Sequence, residues 1–138
     1  MADYRTIKAA LATRLDTSPN LSVVYVQVPD VYTTPCAVLV PGDNPATYHG
    51  AMGGQGFTVF EFRVQVMVQR FDLAHAADAL DVFVHGPDSL DALIRGDATL
   101  GGVAADSIVD RCANYGQVLA GDDVYLGAEF DLRVMVAP

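Results

Sequence analysis

The stretch from Phe57 to Arg70, FTVFEFRVQVMVQR, leaves the chain few choices, because its apolar residues recur at every second position. Phe60, Phe62, Val64, Val66 and Val68 take one face and Glu61, Arg63, Gln65 and Gln69 the other, which is the period of a half-buried strand. The stretch from Val124 to Val136 repeats it, setting Val124, Leu126, Ala128, Phe130, Leu132, Val134 and Val136 against Tyr125, Glu129, Asp131 and Arg133. Two long strands with polar outer faces predict an antiparallel sheet covered on one side, since a parallel sheet is apolar on both.

The rest of the chain supplies the cover. Residues 3 to 15 carry Tyr4, Ile7, Leu11 and Leu15 at helical spacing, with Asp3 placed at the helix start and Arg14 near its end. The turn residues DTSPN (16–20) follow, then a β-branched strand from Leu21 to Val28 and a short strand from Cys36 to Val40, bracketed by Pro29, Pro35 and Pro41. Residues 42–56 hold five of the twelve glycines and show no period, so they predict a long glycine-rich loop, with Tyr48, His49 and Met52 as side chains to bury on a partner. Beyond the long strand, Asp72 is placed to cap a helix over 73–84 with the stripe Leu73, Ala77, Leu80 and Val84, stopped by Gly86. A shorter helix turns Leu90, Leu93 and Ile94 inward up to Gly96, with Ser89 at its start. A loop at 97–102 leads to a final hairpin, 105–119 with 124–136, whose first strand is weakened by Asn114 and Gly116. The expected fold is a single α+β domain over residues 1–138: a mixed or mainly antiparallel sheet of about five strands, helices on one face, in the order α-β-β-(long loop)-β-α-α-β-β.

Composition removes several classes of function. A net charge of −9, with Lys8 the single lysine, opposes a surface that grips phosphate, because affinity for nucleic acid comes from cations neutralising the backbone. The same charge suits solubility, or a protein past which DNA slides without sticking. No apolar run is long enough to span a bilayer and MADYRTIKAA has no apolar signal core, so the expectation is a soluble protein made in a cytoplasm. Cys36 and Cys112 sit in strand-like stretches and are expected as buried thiols rather than a disulfide.

Chemistry has three places to reside, and each has a plainer explanation. Asp78, Asp81 and His85, at spacings of three and four, put two carboxylates and an imidazole on one side of a helix, an arrangement that also arises on ordinary acidic surface helices. Glu61 and Glu129 would form a carboxylate pair if they met across the sheet, but Arg63 and Arg133 share their faces and favour ion pairing. Gly54 and Gly56 lead into a strand rather than out of one, which is the wrong context for a phosphate loop. The serines lack a nucleophile-elbow context. No residue is assigned a catalytic, cofactor or metal role, and the chain is not expected to be an enzyme.

The segments PDVYTTPCAVLVPGDNPATYHGAMGGQGFTVFEFRVQVMVQR (29–70), AADALDVFV (76–84), DATLGG (97–102) and YLGAEFDLRVMV (125–136) carry a resemblance that covers most of the chain. In phrase and in element order it resembles the tail terminator proteins of long-tailed bacteriophages, the lambda-like siphovirus group, above all those from phages of high-GC bacteria. The resemblance implies a non-enzymatic virion protein, assembled in the host cytoplasm and placed at the head-proximal end of the tail. It implies a homo-hexameric ring that caps the tail tube, stops its polymerisation and docks the head completion protein, with DNA passing through unbound. Under it, Tyr48, His49, Met52 and Phe57 are expected at a subunit or partner interface. Glu61, Arg63, Glu129, Asp131 and Arg133 are then expected to line a lumen or a subunit contact. A rival expectation is another connector or a tail-tube subunit.

Overall fold

Asp3 starts the first helix by accepting a hydrogen bond from the Thr6 backbone N–H at 2.8 Å, and α1 (Tyr4–Leu15) then buries Ile7, Leu11 and Leu15 completely. The computed structural model describes residues 3–49, 56–69, 73–120 and 123–137, apart from the side chains of His49 and Leu73. Within them α1 is followed by β1 (Val23–Tyr25), β2 (Cys36–His49), β3 (Phe57–Gln69), α2 (Leu73–Val84), α3 (Leu90–Arg95), β4 (Asp106–Ala120) and β5 (Asp123–Val136). The five strands form one sheet in the order β1-β2-β3-β5-β4, in which only β1 and β2 are parallel. This is the expected α+β architecture.

The three helices share one face of the sheet. Beneath them Phe62, Val64, Val66, Phe130, Leu132 and Val134 are buried, as the alternation requires. The Tyr4 ring stacks on Phe62 at 5.3 Å and meets Phe60 edge-on at 5.1 Å, which seats α1 on β3. Arg14 Nε donates to the Leu93 carbonyl at 2.8 Å and ties α1 to α3. Ser89 caps α3, accepting from the Ala92 backbone N–H at 3.2 Å.

The structure departs from the sequence expectations where irregular residues sit inside regular strands. Residues 42–49 are not loop but the outer half of β2. Pro41 lies opposite Phe62 and Ala46 opposite Phe60, so five steps on β2 match two on β3, and the surplus is taken up in a bulge that Gly42, Asp43, Asn44 and Pro45 make look like a loop. Glu61 Oε2 accepts from the Asn44 N–H at 3.1 Å and holds the bulge down. Gly42 fits there because a Cβ would fall 2.9 Å from that of Glu61. Pro41 therefore does not end a short strand. Conversely, β1 spans only Val23–Tyr25 rather than 21–28.

In α2 the inward stripe is Ala76, Leu80 and Phe83, and Val84 is exposed; turning the larger ring inward removes more apolar surface from water. Val124 is likewise exposed, because it lies at the turn end of β5. β4 carries two further register shifts, between Val109 and Arg111 and between Ala113 and Gly116, and Asn114 adopts a left-handed backbone (φ 53°) within the latter, so β4 is bulged and continues to Ala120. Cys36 is buried, Cys112 is exposed and both are free thiols; the expectation of two buried thiols fails for Cys112 because it lies on the edge strand. The cap expected from Asp72 lies outside the described residues. No helix among the described residues is long and apolar enough to cross a membrane.

Candidate functional surface: the bare face of the sheet

The face of the sheet opposite the helices is divided into three zones by the strand register. Cys36, Val38, Met67 and Tyr125 form a second buried apolar cluster at one end. Tyr32, from the segment between β1 and β2, covers this end, its ring 6.0 Å from Tyr125 and 6.2 Å from Tyr25. At the opposite end Phe57, Ile108 and Met135 are exposed beside the half-buried Val59, and Val59 and Met135 are direct cross-strand partners. Between the two ends runs a belt of charge.

That belt brings together all five of the charged residues expected on this face. Arg63 lies opposite Asp131 and Glu61 opposite Arg133, because β3 and β5 are antiparallel. Arg63 Nε donates to Asp131 at 3.3 Å and lies 3.5 Å from Glu129, while its Nη2 reaches Asp43 at 3.3 Å. Arg111 Nε donates to the other Asp131 oxygen at 2.6 Å, and Arg133 pairs with Asp110 at 3.2 Å. Glu129 also accepts from Asn114 Nδ2 at 2.9 Å. Asp43, Glu61, Arg63, Asp110, Arg111, Asp131 and Arg133 line a shallow, open depression of about 160 Å³, with Phe62 and Leu132, whose side chains are buried on the helix side, beneath it. Asp43, Asp110 and Arg111 were not expected on this face, and Asn114 was expected only to weaken its strand, since each lies in or beside a register shift that breaks the alternation. Val59 and Met67 were not singled out either, although each is an apolar residue at a polar-face position of β3 and signals the apolar ends of this face.

Electrostatics follow the contacts. The hydrogen bond from Arg111, with a second from Arg63, holds the Asp131 carboxyl below the ordinary carboxylate range against a smaller opposing effect of burial. The hydrogen bond to Asp131 raises both the Arg63 and Arg111 guanidiniums. A carboxyl with a depressed folded pKa adds stability that is complete above its unfolded pKa, about 4, and is lost as pH falls through the lower folded value. The melting temperature is thus expected to fall below about pH 4, and Asp131→Asn to flatten part of that acid limb in a pH series of thermal melts. The effect at neutral pH is expected to stay below about 1 kcal/mol, because solvent screens these ion pairs.

The other sequence candidates do not assemble into a reactive site. Glu61 and Glu129 occupy rows four residues apart, roughly 13 Å at strand spacing, and each has its own partners. Asp81 accepts a 2.8 Å hydrogen bond from the Tyr115 hydroxyl. Burial first, then that bond, pushes the Tyr115 phenol up to about 12. The described residues contain no group of three or more His, Cys, Asp or Glu able to hold a metal ion. Burial raises the Cys36 thiol to about 11, far from the thiolate a nucleophile needs.

Of the expected interface residues, Tyr48 is 78% exposed and Phe57 44% exposed; both lie at the same end of the β2–β3 pair but on opposite faces of the sheet, since Tyr48 lies opposite Thr58 and Phe57 opposite His49. Met52 lies outside the described residues, as does the His49 side chain. No family model matches the chain, and no curated protein matches it closely enough to name a relative.

Proposed function

We propose that the chain is a structural virion protein: a tail terminator whose copies form a ring on the end of a phage tail tube, halt tube polymerisation and present a joint to the head completion complex. The sequence resemblance supplies the idea, and one feature of the bare face carries it. Along the belt the carboxylates of Asp43, Glu61, Asp110, Glu129 and Asp131 outnumber the guanidiniums of Arg63, Arg111 and Arg133. A ring with the helices outside and this face inside has an acidic wall, which repels phosphate and lets DNA pass without binding. Helices on one face favour that curvature, because they need the larger radius.

The apolar end of the face, which includes Phe57 and which no described residue covers, and Tyr48 on the reverse side of the same end of the sheet suit an axial contact with the tube or the connector. They lie together at one end of the sheet, beyond the charged belt. Light scattering on the purified full chain, with negative-stain images, is expected to show closed annuli of one size, and added tail tubes are expected to carry one annulus at one end. Open-ended filaments would identify a tube subunit instead. Virus lacking the chain is expected to make tails of uncontrolled length, and normal tail length in that virus would reject the proposal.

A further inference from the structure

Two strand edges of this sheet end with nothing beside them among the described residues. On one side β4 presents 15 residues whose far edge is unpaired. Its stretch from Cys112 to Ala120 holds no charged residue, and Leu119 there is 80% exposed. On the other side β1 pairs over Val23–Tyr25 alone, although the sequence keeps strand character through to Val28. Val28 and Val31 beyond it are 66% and 78% exposed. A strand signal without a partner and a strand edge without a partner thus lie at opposite margins of one sheet. Such an edge is a template for another strand.

We propose that neighbouring copies join edge to edge, β4 of one copy pairing antiparallel with the 23–28 segment of the next and drawing residues 26–28 into a lengthened β1. This rests on the ring reading above and names its subunit contact. The strand directions support it: β1 is parallel to β2, and three antiparallel steps from β2 leave β4 running opposite to β1. Two copies standing side by side in the same orientation therefore present antiparallel edges, the relation of a head-to-tail contact that closes into a ring. The neighbouring open edge of β2 is a poorer partner, because Pro41 and Pro45 each lack a backbone donor. Net charge of −9 makes copies repel one another, and the uncharged 112–120 stretch is where that repulsion is weakest.

The test is hydrogen exchange on the full chain, comparing dilute monomer with assembled ring, alongside sedimentation of the Val26→Pro and Gln27→Pro variants. Both positions lie outside the β1–β2 pairs, so the monomer fold is expected to persist, with an unchanged circular dichroism spectrum. Successive strand amides point to opposite sides, so one of the two prolines removes a donor from the contact. The expected result is joint protection of the amides in 26–28 and 112–120 on assembly, with ring association at least about tenfold weaker in one variant. Rings whose 26–28 amides exchange as fast as in the monomer would overturn the edge contact and leave the ring reading intact. A dimer protected in β4 alone would show two-fold pairing of β4 with itself and would also overturn it. A chain that stays monomeric even with tail tubes would sink the ring reading and this contact together.

Discussion

Phe62→Ala is expected to cost about 3–5 kcal/mol, in the top range for a single truncation of this core. Phe62 is buried at the centre of β3, opposite Leu132 on β5, with the Tyr4 ring stacked on it from α1. Truncation removes the apolar surface, leaves a cavity between sheet and helix, and takes away the platform on which α1 rests. Set against a typical total stability of about 5–15 kcal/mol, that loss brings the fold near its threshold. Thermal melts followed by circular dichroism should show a midpoint lowered by roughly 10–15 °C. Phe62→Leu keeps most of the volume and should recover more than half of the loss. Equal melts for wild type and Phe62→Ala would mean that α1 does not pack on β3 as described.

Gly127→Val is also expected to be strongly destabilising, for the opposite reason. Gly127 lies opposite Met67 on β3 and Gly116 on β4, where a Cβ would stand 2.9 Å from the Val66 carbonyl oxygen and 2.9 Å from Val118 Cγ2. The carbonyl belongs to the ladder and cannot move without breaking it, so the three strands must spread. Overpacking of this kind costs roughly 1–3 kcal/mol, and the branched side chain puts valine at the upper end. Denaturant titration should show the lowered midpoint, and Gly127→Ala should fall between wild type and valine. At Gly116, by contrast, nothing lies within 4 Å of an added Cβ, so Gly116→Ala serves as the neighbouring control.

These two positions show how far local pattern reaches. Phe62 was legible as core from the alternation around it, and so were Ile7, Leu11 and Leu15 from their helical spacing. Gly127 was silent, because its constraint comes from strands distant in sequence. The same division runs through the bare face. Arg63 and Asp131 were legible as residues of one polar face, whereas Asp43 and Arg111 joined them only through register shifts that interrupt the period. The stretch at 42–49 looked like loop because glycine, proline and asparagine disfavour a regular strand, and the bulge on β3 is where those residues are tolerated.

By itself the sequence determined the core-facing side of α1 and of the two long strands, where helices start and stop, and that the sheet is mostly antiparallel, because these follow from periods of 2 and 3.6 and from capping chemistry within a few residues; the inward stripe of α2 and the apolar ends of the outer sheet face did not follow from it. Strand order, the sealing of one end of the bare face by Tyr32, the joining of Arg63, Arg111 and Asp131 into one network, and the margins of β1 and β4, unpaired among the described residues, were decided by the tertiary structure alone. Each of these depends on contacts between residues far apart in the chain, whose register is set by how the whole core packs and not by any local preference.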